Sequence, residues 1–396
     1  MIRVAFTLLG GREWLGGHHY LVNLLTSLRN WQSETLTPIL FVGNNIPAED
    51  LAAFTAIAGV EVVRSAHFNR DARPRRLAQA LLWGLDVGAA ESFRENGIDV
   101  AFEPAQFYGW RLCMPAIAWV PDFQDRHLPQ MFSRRAHLQK WFGQWTQVLS
   151  GRTFMLSSED SRADCERFYP ATRGRTRVVR FAVPAPPELP VEKRAGVLET
   201  YGLPEHFFFL PNQFWRHKNH ACVVRALEIL KSQGPRITVA ATGNPGDLRH
   251  REYFARLSRQ ISAAGVESNF RVLGIVPYEH VGALMQTAAA LINPSRCEGW
   301  STTVEEAKSS GTPLVLSNIG VHREQAGTSA LYFSPDSPEQ LAGVLRDFHP
   351  LPAEQRQVWA AQARTDAQGR LARFADEFAR LVQDCLRQAH TGAFRH

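Results

Sequence analysis

The chain has 396 residues, a length that suits two domains better than one ordinary core. Hydrophobic residues make up 45% and charged residues 21%, the balance of a soluble globular protein, and no apolar run approaches the roughly 20 residues that span a bilayer. The net charge of +6 is not gathered in a tail, and aromatic residues do not interleave with the basic clusters, which argues against nucleic acid as a partner.

From the N-terminus, Ile2 to Leu9 is a continuous apolar run, as a buried parallel strand should be, and it lacks the h-region and cleavage site of a signal peptide. The turn Gly10-Gly11-Arg12-Glu13-Trp14-Leu15-Gly16-Gly17 follows, and then Tyr20, Leu21, Leu24, Leu25 and Leu28 recur at helical spacing. Further strands are expected at 38–42, 60–64, 98–102, 116–120 and 153–157, with helices at 75–93 and 132–149. Two basic clusters, Arg70 to Arg76 and Arg173 to Arg180, read either as solvated faces or as attraction to an anionic membrane surface or a lipid-phosphate acceptor.

The proline-dense segment Val183 to Pro190 can continue neither strand nor helix and reads as a linker. The pattern then restarts. Strands are expected at 207–210, 237–241, 270–273, 289–292, 313–316 and 330–333. Helices are expected at 219–231, 251–263, 279–286, 302–309 and 338–346, and after Pro352 to near Ala389 with a break near Gly369. Strands alternating with helices imply parallel sheets covered on both faces. The expected organisation is α/β, with doubly wound domains at 1–183 and 191–369, a ligand cleft between them, and the helix at 370–390 packing back on the first. Five scattered cysteines, without metal or redox spacing, suit a reduced cytosolic compartment.

The stretch from Asn293 to Gly311 carries the most chemistry. The apolar run Ala288 to Ile292 ends in Asn293-Pro294-Ser295; Glu298 and Gly299 follow, then a helix start that carries Glu306. A loop delivered to a helix N-terminus suits an anionic ligand, because the first backbone N–H groups are unpaired there. A carboxylate in that place repels phosphate and suits hydroxyls instead. Phosphate donors beside hydroxyl acceptors are the profile of a nucleotide-sugar site. Glu305 offers a plainer reading of the adjacent pair, as a charge that complements the helix dipole.

The loop Glu298-Gly299-Trp300-Ser301 followed by Glu306 resembles the E-x7-E motif of retaining glycosyltransferases with the GT-B fold, in particular glycosyltransferase family 4. Asn212 to His220, Trp119 to Gln124 and the Gly16-Gly17 loop resemble segments of the same family, in the same order along nearly the whole chain. The resemblance implies a GT-B fold with the donor site in the C-terminal half and the acceptor site in the N-terminal half. It implies catalytic roles for Glu298, Lys218 and Asp122. Glu306 would hold the donor ribose, Glu298 the sugar, and Lys218 the diphosphate. Gly299, Trp300, Ser301, Gly16 and Gly17 would line the donor, with His18 and His127 on the acceptor side.

The family often has an arginine five or six residues before the lysine, where this chain has Gln213 and Asn212; Arg216 is either a substitute or a solvated side chain. Near Asp122 the family often has His-Asp, where this chain has Pro121, and His127 is either a replacement or a surface turn residue. No Asp-x-Asp pair or other metal-type set occurs, so no metal or cofactor is expected. The implied activity is metal-independent, front-face transfer with retention from a nucleotide-diphosphate sugar to a hydroxyl. The acceptor would be a glycan or lipid-linked saccharide in surface-polysaccharide assembly, and the setting the cytoplasm, with or without peripheral contact at the inner face of an anionic membrane. The alternatives are a GT-B epimerase or phosphorylase, or a nucleotide-sugar-binding module without catalysis.

Overall fold

The computed structural model of the chain describes residues 1–8, 15–104, 106–234, 236–247 and 249–390. Leu9 and the Gly10–Trp14 part of the expected turn lie outside the described residues. The chain divides into two compact units: residues 1–123, 133–182 and 369–396 form the first, and residues 124–132 and 183–368 the second. The short segment 124–132 thus groups with the second unit, not with the N-terminal half that the sequence assigns it to.

In the first unit seven parallel strands are ordered β3-β2-β1-β4-β5-β6-β7. They are β1 (Ile2–Thr7), β2 (Leu36–Val42), β3 (Glu61–Arg64), β4 (Val100–Pro104), β5 (Ala116–Trp119), β6 (Thr153–Leu156) and β7 (Thr176–Val178). One face carries Ala5, Ile39, Phe41, Phe93, Ala101 and Tyr108. The other is aromatic: Phe6 lies 5.5 Å from Phe102 and 5.8 Å from Phe378, and Tyr20 stacks on Trp119 at 4.2 Å. Phe374 and Phe378 belong to the helix Ala353–His390, whose final turns therefore cover this sheet. That helix is continuous through Gly369, so the expected break is absent; an interior glycine costs only about 1 kcal/mol, which packing overrides.

The second unit repeats the plan with β8 (Phe208–Leu210), β9 (Val239–Thr242), β10 (Phe270–Gly274), β11 (Ala290–Asn293), β12 (Leu314–Ser317) and β13 (Ala330–Phe333), ordered β10-β9-β8-β11-β12-β13. Successive residues alternate between faces, as the strand period of two requires. Phe208, Leu210, Ala290, Ile292 and Val315 pack on one side, and Phe207, Phe209, Leu291, Leu314 and Leu316 on the other. Both orders are those of a Rossmann sheet, and the order reverses between β1 and β4 and between β8 and β11.

Three expectations are corrected. The helix expected at 75–93 is two, Arg73–Leu82 and Val87–Glu95, because Gly84 takes φ +77° and Asp86 caps the second helix by accepting from Ala89 N at 3.2 Å. Strand β7 hides in the basic cluster 173–180, at the sheet edge, where charged side chains guard against strand pairing. The basic clusters are structural in part: Arg70, Arg73, Arg75 and Arg173 are exposed, and the other four arginines are held within the fold. Arg76 is buried against Asp86 at 2.9 Å, Arg175 donates to the carbonyls of Arg152, Val148 and Ala171, and Arg177 and Arg180 face Asp384 and Glu159.

Gly311 ends the helix Thr302–Ser310 with φ +70°, and a Cβ there would stand 2.8 Å from Ala360 Cα on the long C-terminal helix. Gly311→Ala should cost about 2–4 kcal/mol in urea unfolding, from left-handed backbone strain plus overpacking. Gly343→Ala, mid-helix with open space around it, should instead gain about 0.5–1 kcal/mol.

Candidate active site

The site is built at the strand-order reversal of the second sheet. β8 and β11 are adjacent and parallel, with Phe208 opposite Ala290 and Phe209 opposite Leu291. Their carboxyl ends release the loops 211–219 and 294–301 side by side, the place where open α/β sheets bind ligands. Backbone joins the loops: Arg296 N donates to His217 O at 2.9 Å. Asn219 adopts left-handed backbone (φ +59°) and its side-chain amide donates to Pro294 O at 3.1 Å and Pro335 O at 2.8 Å. An asparagine tolerates that conformation, so the turn is made and cross-braced by one residue.

Lys218 and Glu298 meet across this seam, Nζ to Oε1 at 2.5 Å, with both side chains mostly buried. A pair so enclosed gains more from Coulomb attraction than a surface pair, and losing either partner strands a charge. Beneath it lies a buried polar network. Asn293 accepts from Ser295 and from Asn212 (3.2 Å) and donates to Ser301 Oγ (2.9 Å). Thr303 Oγ1 donates to Asn212 Oδ1 at 3.3 Å. Asn212 is thereby committed to the scaffold, and Gln213 accepts from Asn244 N at 2.7 Å. Neither is a cation facing a ligand.

Arg216 does not join Lys218. Both sit in the 3₁₀ turn Arg216–Lys218, where three residues per turn point side chains two apart about 120° from each other. Arg216 lines a separate pocket of about 250 Å³ with Ala221, Tyr253, Arg256, Leu257 and Gln260.

The adjacent carboxylates Glu305 and Glu306 have different fates. Glu305 is buried, 2.9 Å from Lys308 Nζ and accepting from Gln325 Nε2 at 3.0 Å; the same amide donates to Ser301 O. It holds the helix start in place. The Glu306 carboxylate makes no hydrogen bond or ion pair among the described residues. It is partly buried, and burial raises its pKa to about 7. Its charge is felt by Tyr278, whose phenol burial pushes up to about 12. Ser301 N donates to Gln325, and Trp300 is buried.

His322 was not singled out from sequence, because a lone histidine in a helix carries no spacing signal. It is fully buried, and its Nδ1 donates to Ser317 O at 3.0 Å, leaving Nε2 unbonded among the described residues. Burial lowers its pKa to about 4, while Glu298 opposes and Lys218 reinforces that shift, so the imidazole lies within their field and is neutral.

The remaining candidates lie elsewhere. Gly16 and Gly17 occupy the first turn of the helix Leu15–Trp31 in the first unit. His18 packs edge-on against Phe54 at 5.0 Å, and burial lowers its pKa despite Asp50. Asp122 follows β5 and lies 3.7 Å from Lys140 Nζ. His127 is exposed in the segment 124–132 of the second unit. That segment is anchored by Arg249, which donates to Gln124 at 3.0 Å and lies over Phe132 and Trp215, each at 5.4 Å. No group of three or more His, Cys, Asp or Glu suited to a metal occurs among the described residues.

Residues 201–366 match the family model described as Glycosyl transferases group 1. The matched stretch lies within the second unit. The match includes Lys218, Glu298 and Glu306 and stops near the point where the long helix passes to the first unit. A curated relative, the O-antigen chain mannosyltransferase RfbU of Salmonella typhimurium, is 24% identical over 148 residues, 37% of this chain and 40% of that protein's length. Among solved structures, a glycosyltransferase from Rickettsia africae superposes with a TM-score of 0.71 at 16% identity, covering 98% of both chains. Anabaena Alr3699/HepE in complex with UDP and glucose gives 0.68 at 16% identity, covering 97% of this chain and all of that one. The fold is therefore GT-B, two Rossmann-like α/β domains.

The folded pKa of Glu306 is raised from 4.5 to about 7, so the folded chain holds a proton that the unfolded chain has released. Stability is then lost as pH rises between those values and stays lost above them. Glu306→Gln should melt higher than wild type at about pH 8, with the gap narrowing at about pH 5.5, as scanning fluorimetry would read.

Proposed function

We propose that this chain is a retaining glycosyltransferase of family 4 that uses a nucleoside-diphosphate sugar. The observation that carries the reading is the Lys218–Glu298 pair spanning the β8/β11 reversal, one helical segment away from the open carboxylate of Glu306. These are three groups with three complementary targets. Lys218 suits the diphosphate, whose leaving charge it would stabilise. Glu298 suits sugar hydroxyls and the positive charge that grows at the anomeric carbon. Glu306 suits the ribose diol, which donates two hydrogen bonds to one carboxylate. Diol binding favours the ionised form of Glu306, so donor affinity should rise with pH through about 7.

Donor binding exchanges the Lys218–Glu298 contact for ligand contacts on both partners. The acceptor oxygen then attacks the anomeric carbon on the face from which the diphosphate departs, and a departing phosphate oxygen takes the acceptor proton. The chain's own cations and helix N-terminus meet the leaving charge in this scheme, without a metal. Asp122, His18 and His127 are proposed for the acceptor side. The Salmonella relative's name makes a mannose donor and a saccharide or lipid-linked saccharide acceptor of surface-polysaccharide assembly the first to try, in the cytoplasm.

The reading is tested by incubating the full chain with a panel of nucleoside-diphosphate sugars and saccharide acceptors and following product by mass spectrometry. Lys218→Ala and Glu306→Ala should each cut transfer about 100-fold or more while the fold is retained. Full activity in both variants would overturn the site assignment. Donor consumption without an acceptor product would point to epimerisation instead.

A further inference from the structure

The helix Arg134–Leu149 of the first unit presents an apolar stripe to solvent. Leu138, Trp141, Phe142 and Leu149 recur at i, i+3, i+4 and i+11, which aligns them within an arc of about 100°. Leu138 is 65% exposed, Trp141 44%, Phe142 50% and Leu149 74%. Four large apolar side chains on one face of one helix form a contiguous patch of the kind that marks an interaction site. Other side chains of the helix anchor it. Val148 and Gln147 are buried, Trp145 meets Tyr169 at 5.6 Å, Gln144 accepts from Tyr169 OH at 2.6 Å, and Gln147 donates to Gln106 O at 3.1 Å. The stripe is thus held outward by packing.

Charge decides what covers it. Arg134 and Arg135 are exposed at the N-terminal end, Arg134 in line with the stripe and Arg135 at its edge, while Lys140 pairs with Asp122 at 3.7 Å. None of the sixteen residues is acidic. A second copy packed helix on helix would set Arg134 and Arg135 against a helix with no carboxylate of its own, and the neighbouring Asp122 is already paired with Lys140, whereas anionic headgroups would satisfy both arginines. Tryptophan and phenylalanine beside arginine suit the headgroup level of a bilayer, where one end of the side chain is apolar and the other wet. No helix among the described residues is long and apolar enough to cross a membrane.

We propose that the helix Arg134–Leu149 docks the protein on an anionic lipid surface, lying in the interfacial plane with Leu138, Trp141, Phe142 and Leu149 inserted and Arg134 and Arg135 at the headgroups. At 1.5 Å per residue the stripe from Leu138 to Leu149 would lie along roughly 17 Å of membrane surface. Of the basic clusters, Arg76, Arg175, Arg177 and Arg180 are engaged within the fold, while Arg70, Arg73, Arg75 and Arg173 are exposed. The docking is independent of the donor site, so either can fail without the other.

The test is co-sedimentation of the full chain with vesicles of phosphatidylcholine, with and without phosphatidylglycerol. Wild type should bind the phosphatidylglycerol vesicles, weakly bind phosphatidylcholine alone, and release with salt. Trp141→Glu with Phe142→Glu should lower binding at least about tenfold, and Arg134→Gln with Arg135→Gln about fivefold per charge on anionic vesicles only. Both double variants should keep the wild-type melting temperature and any donor-induced thermal shift. Equal binding by the Trp141/Phe142 variant, or no binding of wild type to either vesicle, would overturn the proposal. So would a wild-type dimer that the same variant converts to monomer, since the stripe would then be a self-interface.

Discussion

The 2.5 Å ion pair between Lys218 and Glu298 is the contact on which the candidate site depends. It exists because β8 and β11 lie side by side while their following helices depart from a point of strand-order reversal. Eighty residues of sequence separate the two side chains, and the parallel pairing brings their loops into register. The scaffold under the pair is polar but satisfied. Asn212, Asn293, Ser295, Ser301 and Thr303 exchange hydrogen bonds within it, and Asn219 ties the lysine turn to the glutamate loop. Buried polar groups are costly when unpaired, so this network favours a single arrangement of the two loops.

Glu305 and Glu306 show how one residue's step along a helix separates a carboxylate paired within the fold from one left without a cation among the described residues. Position 305 faces Lys308 and Gln325 and is neutralised by them. Position 306, rotated about 100° further round the helix, lies where no cation among the described residues compensates it, and burial lifts its pKa to about 7. Such an uncompensated group lowers stability above neutral pH, the pattern expected where binding rather than folding has shaped a residue.

The architecture was legible in the sequence because buried parallel strands read as short apolar runs. Phe207–Leu210, Ala289–Ile292 and Pro313–Leu316 need no knowledge of their partners. Strand β7 was not legible, since an edge strand buries too little to show the pattern and Arg177 masks it. The division at Gly84 and Asp86 was missed because one continuous helical period crosses a turn set by backbone conformation and a cap. The motif spacing located Glu298, Glu306 and Lys218, but contacts alone reveal that Glu298 and Lys218 are paired and that Arg216 turns away. His322 was invisible because its place beside the pair comes from β12 and the turn after it, not from any local pattern. The outward face of Arg134–Leu149 was hidden for a related reason: its periodicity announces an amphipathic helix without saying which face is covered.

The central claim is that the Lys218–Glu298 pair divides the donor between them, phosphate to the lysine and sugar to the glutamate. Calorimetric titration of a nucleoside diphosphate and of the matching nucleoside-diphosphate sugar into wild type, Glu298→Gln and Lys218→Met tests it most directly. The account predicts that Glu298→Gln keeps its affinity for the nucleoside diphosphate and loses the extra affinity conferred by the sugar, while Lys218→Met weakens both ligands alike. Equal loss of both ligands in Glu298→Gln, or unchanged binding in Lys218→Met, would contradict it.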